Sequence, residues 1–166
     1  MSLESARLAL PFLAAGQAQK ELTHNEALAL IDMGIGAAAK SAGIETPPSI
    51  PVIGECWIVG DTPTDAWSGH AGALACWTES GWRFLAGGEG MMVWVQDQRL
   101  WAVREADGWT IGAARAARVV IDDLQVLGAR EAAVTAPIGG SVVDVEARSA
   151  IAAILDRLIA HGLIDA

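Results

Sequence analysis

The sequence predicts an α+β chain: an N-terminal helix, a small Trp-rich antiparallel β domain and a C-terminal helix. Three observations predict it. Apolar residues recur at helical spacing near both ends of the chain. Between those stretches, short runs rich in Trp, Val and Ile follow one another about every ten residues, separated by turn signals. A segment with three prolines divides the first helical stretch from the β runs. The expected organisation is an anchor segment and helix over 1–42, a Pro-rich linker over 43–54, the β domain over 55–112, and an extended segment with the last helix over 113–166.

Residues 1–22 open with an apolar segment interrupted by Pro11, which biases Leu10 toward an extended conformation. Their periodicity is poor. Apolar termini of this kind often order only on docking, so the stretch from Leu8 through Leu10 and Phe12 to Gln19 is expected to be an anchor. A helix is predicted from about Thr23, where Thr23 and Glu26 have capping-box spacing, to about Lys40. Leu22, Ala29, Met33 and Gly36 form one stripe, and Leu28, Ile31, Ile35 and Ala38 form another. Two stripes imply burial on more than one side, as in a bundle. Gly34 and Gly36 each lower helix propensity by about 1 kcal/mol. Gln17, Gln19 and Asn25 carry amides that can form ladders between identical helices and fix register; local capping or simple exposure serves equally well.

Pro47, Pro48 and Pro51 favour an extended, semi-rigid link. The β runs are ECWIVG, ALACWT, WRFLA, MMVWVQ, RLWAVR and WTIG. A weak echo joins two of the predicted hairpins: Cys76-Trp77 leads to Gly81-Trp82, and Leu100-Trp101 leads to Gly108-Trp109. RVVIDDLQVLG and EAAVTAPIGG read as strands or extended segments. In the last helix, Asp144 or Ser141 can cap the start. Ala147, Ala150, Ile151, Ile154, Leu155 and Leu158 share one face. Gly162 stands where a C′ glycine belongs.

Composition narrows the function classes. Hydrophobic residues make up 52% of the chain and charged residues 19%, against about 25% charged in an average domain. Such an excess of apolar residues suggests burial between subunits. The net charge of −9 argues against nucleic-acid binding, which relies on Lys and Arg neutralising phosphates. No apolar run is long enough to span a bilayer. The N-terminus has Glu4 and a single Arg7 where a secretory signal carries a basic region. Cys56 and Cys76 are too few for a disulfide framework or a structural zinc site. Neighbouring strands could bring them together; free buried thiols are expected, with a disulfide left open.

Little in the sequence points to catalysis. It has no phosphate-binding loop, HExxH pair or GxSxG elbow. His24, His70 and His161 lie far apart, so local hydrogen-bonding roles are expected and no metal or cofactor is called for. The aspartates fall mostly in turns, where they bond their own backbone. Trp57, Trp77, Trp82, Trp94, Trp101 and Trp109 are expected to fill a small core. Trp67 differs: it sits in the loop DTPTDAWSGHAG with Asp65 and His70. An exposed loop tryptophan there is a candidate carbohydrate contact.

RLALPFLAAGQAQKELTHNEALALID resembles the opening of an uncharacterised family found in prophages and gene transfer agents of alphaproteobacteria. The hallmark is an AAGQAQKE-x-THNEAL stretch followed by a Pro-rich link and a Trp-rich segment like GECWIVGDTPTDAWSGHAGALACWTESGWRF. The resemblance covers roughly residues 6–112. The tail, from Gly128 onward, resembles a module near the ends of phage tail-fibre proteins. Together they imply a non-enzymatic subunit of a fibre or spike, such as a gene transfer agent head spike. The subunit would be made in the cytoplasm and incorporated into the particle as an external appendage. Its expected partners are two further copies in a homotrimer, other capsid, spike or fibre proteins, and host surface polysaccharide. On that reading Leu8, Leu10, Phe12, Gln17, Gln19, Asn25, Leu28, Ile31, Ile151, Ile154 and Leu158 serve anchoring or oligomerisation. The alternatives are a carbohydrate-binding module acting on capsular polysaccharide, a polysaccharide hydrolase with two carboxylates facing a cleft, and an assembly factor absent from the mature particle.

Overall fold

A computed structural model describes residues 3–16, 20–141 and 143–166. Helices near both ends and a mainly antiparallel β region between them give the expected α+β class. The chain divides into two compact units, Met1–Ala113 and Ala114–Ala166. The division falls just beyond the last Trp-rich strand rather than at the prolines.

In the first unit, residues 3–12 double back on themselves. The Ser5 N–H donates to the Leu10 carbonyl at 2.9 Å and the Phe12 N–H to the Leu3 carbonyl at 2.6 Å. This small hairpin delivers three donors to one buried carboxylate. The Ser5 hydroxyl (2.7 Å) and the Leu8 N–H (2.6 Å) reach Asp32 Oδ1, and the Arg7 N–H (3.0 Å) reaches Oδ2. Asp32 is 3% exposed, so these bonds replace the water it gave up. The segment around Leu8 and Leu10 is therefore ordered within its own chain, contrary to the expectation that it would order only on docking.

Helix α1 spans Lys20–Gly34, shifted from the expected 23–40. Thr23 lies inside the first turns, so no capping box forms with Glu26. Glu26 instead pairs with Arg83 at 2.8 Å. The helix stops early for a physical reason. Gly36 adopts φ +55°, a left-handed conformation that glycine reaches without steric cost. The Arg7 guanidinium takes up the carbonyls of Asp32, Met33 and Gly36 that the helix end leaves free.

The released chain then serves two sheets in succession. Strand β1 (Ala38–Ala39) runs parallel to β6 (Met92–Val95), and β2 (Ala42–Ile44) runs parallel to β3 (Cys56–Val59). Each partner leads an antiparallel meander. The first sheet has the order β2-β3-β4-β5, with β4 (Leu74–Thr78) and β5 (Gly81–Leu85). The second has the order β1-β6-β7-β8, with β7 (Leu100–Glu105) and β8 (Gly108–Ile111). The echo between the β4–β5 and β7–β8 hairpins thus belongs to two sheets of one plan. Part of the expected linker is strand β2, and its prolines lie in the loop that follows, inside the unit. Gly60 allows the close approach here: a Cβ at that position would lie 2.8 Å from the Gly43 carbonyl oxygen.

Period-two alternation sorts the side chains. Cys56, Ile58, Leu74 and Cys76 from the first sheet, and Val93, Val95 and Ala102 from the second, share one cluster with Met33. The opposite face of the first sheet is also buried, through Trp57, Val59, Ala75 and Trp67.

The second unit is built differently. Strands β9 (Val119–Ile121) and β10 (Leu124–Leu127) form a hairpin. Its connecting residues, Asp122 and Asp123, both have positive φ, 49° and 62°, as a two-residue I′ turn requires. Helix α2 (Val145–Ala160) begins at Asp144, whose side chain accepts from the Ala147 N–H at 2.8 Å. It ends at Gly162, φ +69°, with the Leu163 N–H returning to the Leu158 carbonyl at 2.9 Å. Both ends of this helix match the sequence expectation. The tail is tied to residues 130–131: the Glu131 N–H reaches the Leu163 carbonyl and the Asp165 N–H reaches the Glu131 carbonyl.

Candidate functional site

The loop from Gly60 to Ala73 crosses the outer face of the first sheet. A short 3-10 turn, Asp65–Trp67, carries Trp67 into that face. Ala75 is the small residue between Trp57 on one neighbouring strand and Phe84 on the other, and this cluster admits the indole. Trp67 lies 5.2 Å from Trp82 at 81° and 6.3 Å from Trp57 at 46°, in edge and tilted contacts. Such pairs add about 0.5–1.5 kcal/mol each beyond area burial.

The expectation of an exposed Trp67 is therefore corrected: it is fully buried. Transfer of a large indole out of water outweighs the polar character of its loop. His70 lies flat on Phe84, ring centroids 3.6 Å apart at 3°. Asp65 is exposed, with Oδ2 3.4 Å from the Thr64 hydroxyl. Trp67, Asp65 and His70 do not form one ligand surface. Trp67 holds the loop down, His70 covers Phe84, and Asp65 sits at the turn.

The ends of the same loop, rather than its middle, reach a cleft of about 460 Å³. Its polar walls are Glu45, Asp61, Arg104 and Asp107, with Trp109 as the aromatic wall. Trp109 is fixed by its indole N–H, which donates to the Gly72 carbonyl at 2.7 Å. The Arg104 guanidinium carbon sits 5.9 Å from the Trp109 ring centre, within cation–π range. Thr62 donates to Glu45. One guanidinium, three carboxylates and an indole edge supply donors, acceptors and an apolar wall, the mixture that orients a small polar ligand. In the sequence, Asp61 and Asp107 registered only as turn residues and Trp109 only as core; the parallel pairing of β2 that brings them together left no local signal.

A second aromatic surface lies on the outer face of the second sheet. Trp94 and Trp101 are direct cross-strand partners with rings 5.2 Å apart at 68°. Trp101 is 46% exposed and Met92 beside it on the sheet is 49% exposed. Trp94 and Trp101, expected in the core, therefore form a surface pair. Alternation puts Val93 and Ala102 inward and leaves the tryptophans outside.

The residues assigned to anchoring or oligomerisation separate into groups. Asn25 clamps its own chain: it accepts from the Leu13 N–H at 2.9 Å and donates to the Leu13 carbonyl at 3.0 Å. Its side chain is thus occupied within the subunit, so at Asn25 the local role holds of the two that the sequence leaves open. Leu8, Ile31, Ile151 and Ile154 are exposed, while Leu10, Phe12, Leu28 and Leu158 are half-buried. Gln17 and Gln19 lie outside the described residues.

Among the described residues no group of three His, Cys, Asp or Glu side chains is placed to hold a metal ion. No described helix is long and apolar enough to cross a membrane. No curated protein and no solved structure matched the chain. A family model described as protein of unknown function DUF2793 matches residues 24–110, from within α1 to within β8. By that match, which takes in both sheets and the cleft between their edges, the chain belongs to the DUF2793 family.

Proposed function

We infer that this chain is a non-enzymatic structural subunit of a phage-like particle, part of a fibre or spike, and that it works as a homotrimer. One observation carries the reading. In the second unit every residue of β9 and β10 is exposed and α2 has no buried residue. Ile121, Leu124, Val126, Ile151 and Ile154 expose between 42% and 70% of their surface. A capped helix and a well-turned hairpin hold their shape locally, yet their apolar faces meet water. Burial of one such aliphatic side chain contributes about 1.5–3 kcal/mol, so the folded unit gains most from a partner. Identical copies around a closed axis provide it symmetrically. The resemblance of the tail to phage tail-fibre modules supports the same assignment.

On this reading the apolar faces of the second unit serve assembly. The test is mass-spectrometric detection of the chain in particles purified from cells that carry its gene. Stoichiometric presence supports a particle subunit. Absence from particles, with the chain abundant in the cells, supports an assembly factor instead.

A second reading, a carbohydrate-binding module contacting capsular polysaccharide, is favoured by the cleft at Arg104 and Trp109 and by the exposed Trp101 packed on the half-buried Trp94. Titration of capsular oligosaccharide into the protein tests it. Binding lost in Arg104→Ala places the sugar in the cleft, and binding lost in Trp101→Ala places it on the outer face.

A further inference from the structure

The two cysteines of the chain face each other across the middle of the first sheet. Cys56 on β3 and Cys76 on β4 are direct register partners. The bonds on either side fix the kind of pair. The Trp77 N–H donates to the Glu55 carbonyl and the Val59 N–H to the Ala73 carbonyl, both at 2.9 Å. Hydrogen-bonded and non-hydrogen-bonded pairs alternate along an antiparallel ladder, so Cys56 and Cys76 form a non-hydrogen-bonded pair. At such pairs the Cα atoms approach to about 4.5 Å, within the separation of about 4.4–6.8 Å that a disulfide spans. Both side chains project into the same core cluster, each 1% exposed. Their sulfurs are hydrogen-bonded at 2.7 Å, and both are free thiols.

We propose that Cys56 and Cys76 form a reversible cross-strand disulfide when the chain meets a disulfide oxidant such as oxidised glutathione. The thiolate of one cysteine attacks a sulfur of the oxidant, forming a mixed disulfide and releasing one reduced thiol. The second cysteine attacks that mixed disulfide and releases the other. The protein gives up two electrons and two protons, and the oxidant takes up both as two thiols. Either cysteine can make the first attack. The hydrogen bond with Cys76 holds the Cys56 thiol below the ordinary range, against the opposing effect of burial, while the same bond and burial push Cys76 up. Because both sulfurs are enclosed, exchange takes place as the sheet closes during folding or through local opening. The bond would tie the two central strands and close the loop that carries Trp67. The inference does not depend on the function proposed above.

The test refolds the full chain from guanidinium in two buffers, one with dithiothreitol and one with a reduced–oxidised glutathione mixture. Thiols are then counted by alkylation under denaturing conditions, the intact mass is measured, and unfolding is followed by tryptophan fluorescence. The expected result in glutathione is no alkylatable thiol, a single-chain mass lower by two hydrogens, and an unfolding equilibrium constant reduced on the order of a hundredfold. Cys76→Ala should unfold alike in both buffers. Two free thiols, a glutathione adduct or an interchain link after refolding would overturn the proposal. So would an oxidation-dependent shift that persists in Cys76→Ala.

Discussion

Strand β3 and strand β10 are both four residues long, both mainly apolar, and opposite in fate. All four residues of Cys56–Val59 are buried, whereas all four of Leu124–Leu127 are exposed. The first strand lies inside a sheet covered on one face by a second sheet and on the other by the Trp67 loop. The second belongs to a two-stranded hairpin. Isolated two-stranded hairpins are marginal in water. The contrast teaches that apolar composition sets how much surface must be buried and leaves open whether the chain or its neighbours will bury it.

The contrast can be broken from either side. The largest effect is expected where the first unit closes on itself. Trp67→Ala should destabilise that unit by about 4 kcal/mol, measured by urea unfolding. All seven tryptophans lie before Ala113, so tryptophan fluorescence reads this unit alone. A loss below about 1 kcal/mol would mean the indole is peripheral. Next comes Asp32→Ala, which strands the donors of Ser5, Arg7 and Leu8; a loss of about 3 kcal/mol is expected. Protease cleavage ahead of α1 should rise in parallel.

Ile154→Asp probes the other side. The side chain is already exposed in the single chain, so fluorescence-detected unfolding should not change. Association should weaken at least about tenfold, the equivalent of one buried aliphatic side chain, measured by the concentration dependence of the solution mass. Arg83→Ala is the smallest. The Arg83–Glu26 pair is partly exposed on both sides, and pairs of that kind contribute about 0.5 kcal/mol. A loss above about 2 kcal/mol would show that the bridge fixes α1 on the sheet.

Much of the architecture was legible because its signals are local. Each of the six Trp-rich runs is a strand, the Asp144 cap and the Gly162 stop bound α2, and the amphipathic spacing of the last helix is real. The errors share a cause in contacts between distant residues. The helix 20–34 was extended to Lys40 because nothing near Gly34 announces that Arg7 will occupy its last carbonyls. At Asn25 the sequence leaves interchain and local roles open, because Leu13, its partner, carries no side-chain signal. Trp67 was placed outside because its neighbours in sequence are polar, although Trp57, Ala75 and Trp82 decide its fate. For the candidate site, the sequence singles out Asp65, Trp67 and His70 in the loop, whereas the cleft is lined by other residues. The cleft uses Asp61 and Gly72 from the loop ends, then Arg104 and Trp109 from another sheet, and the parallel pairings of β1 with β6 and of β2 with β3, which carry no local signal, build the two sheets.

The most direct test of the central claim is the solution mass of the full chain by light scattering over a range of concentrations. A stable mass of three 17.3 kDa chains, reduced toward one chain by Ile154→Asp, is the predicted result. A clean monomer at every concentration would contradict the account, because the apolar faces of β9, β10 and α2 would then stand in water without a partner.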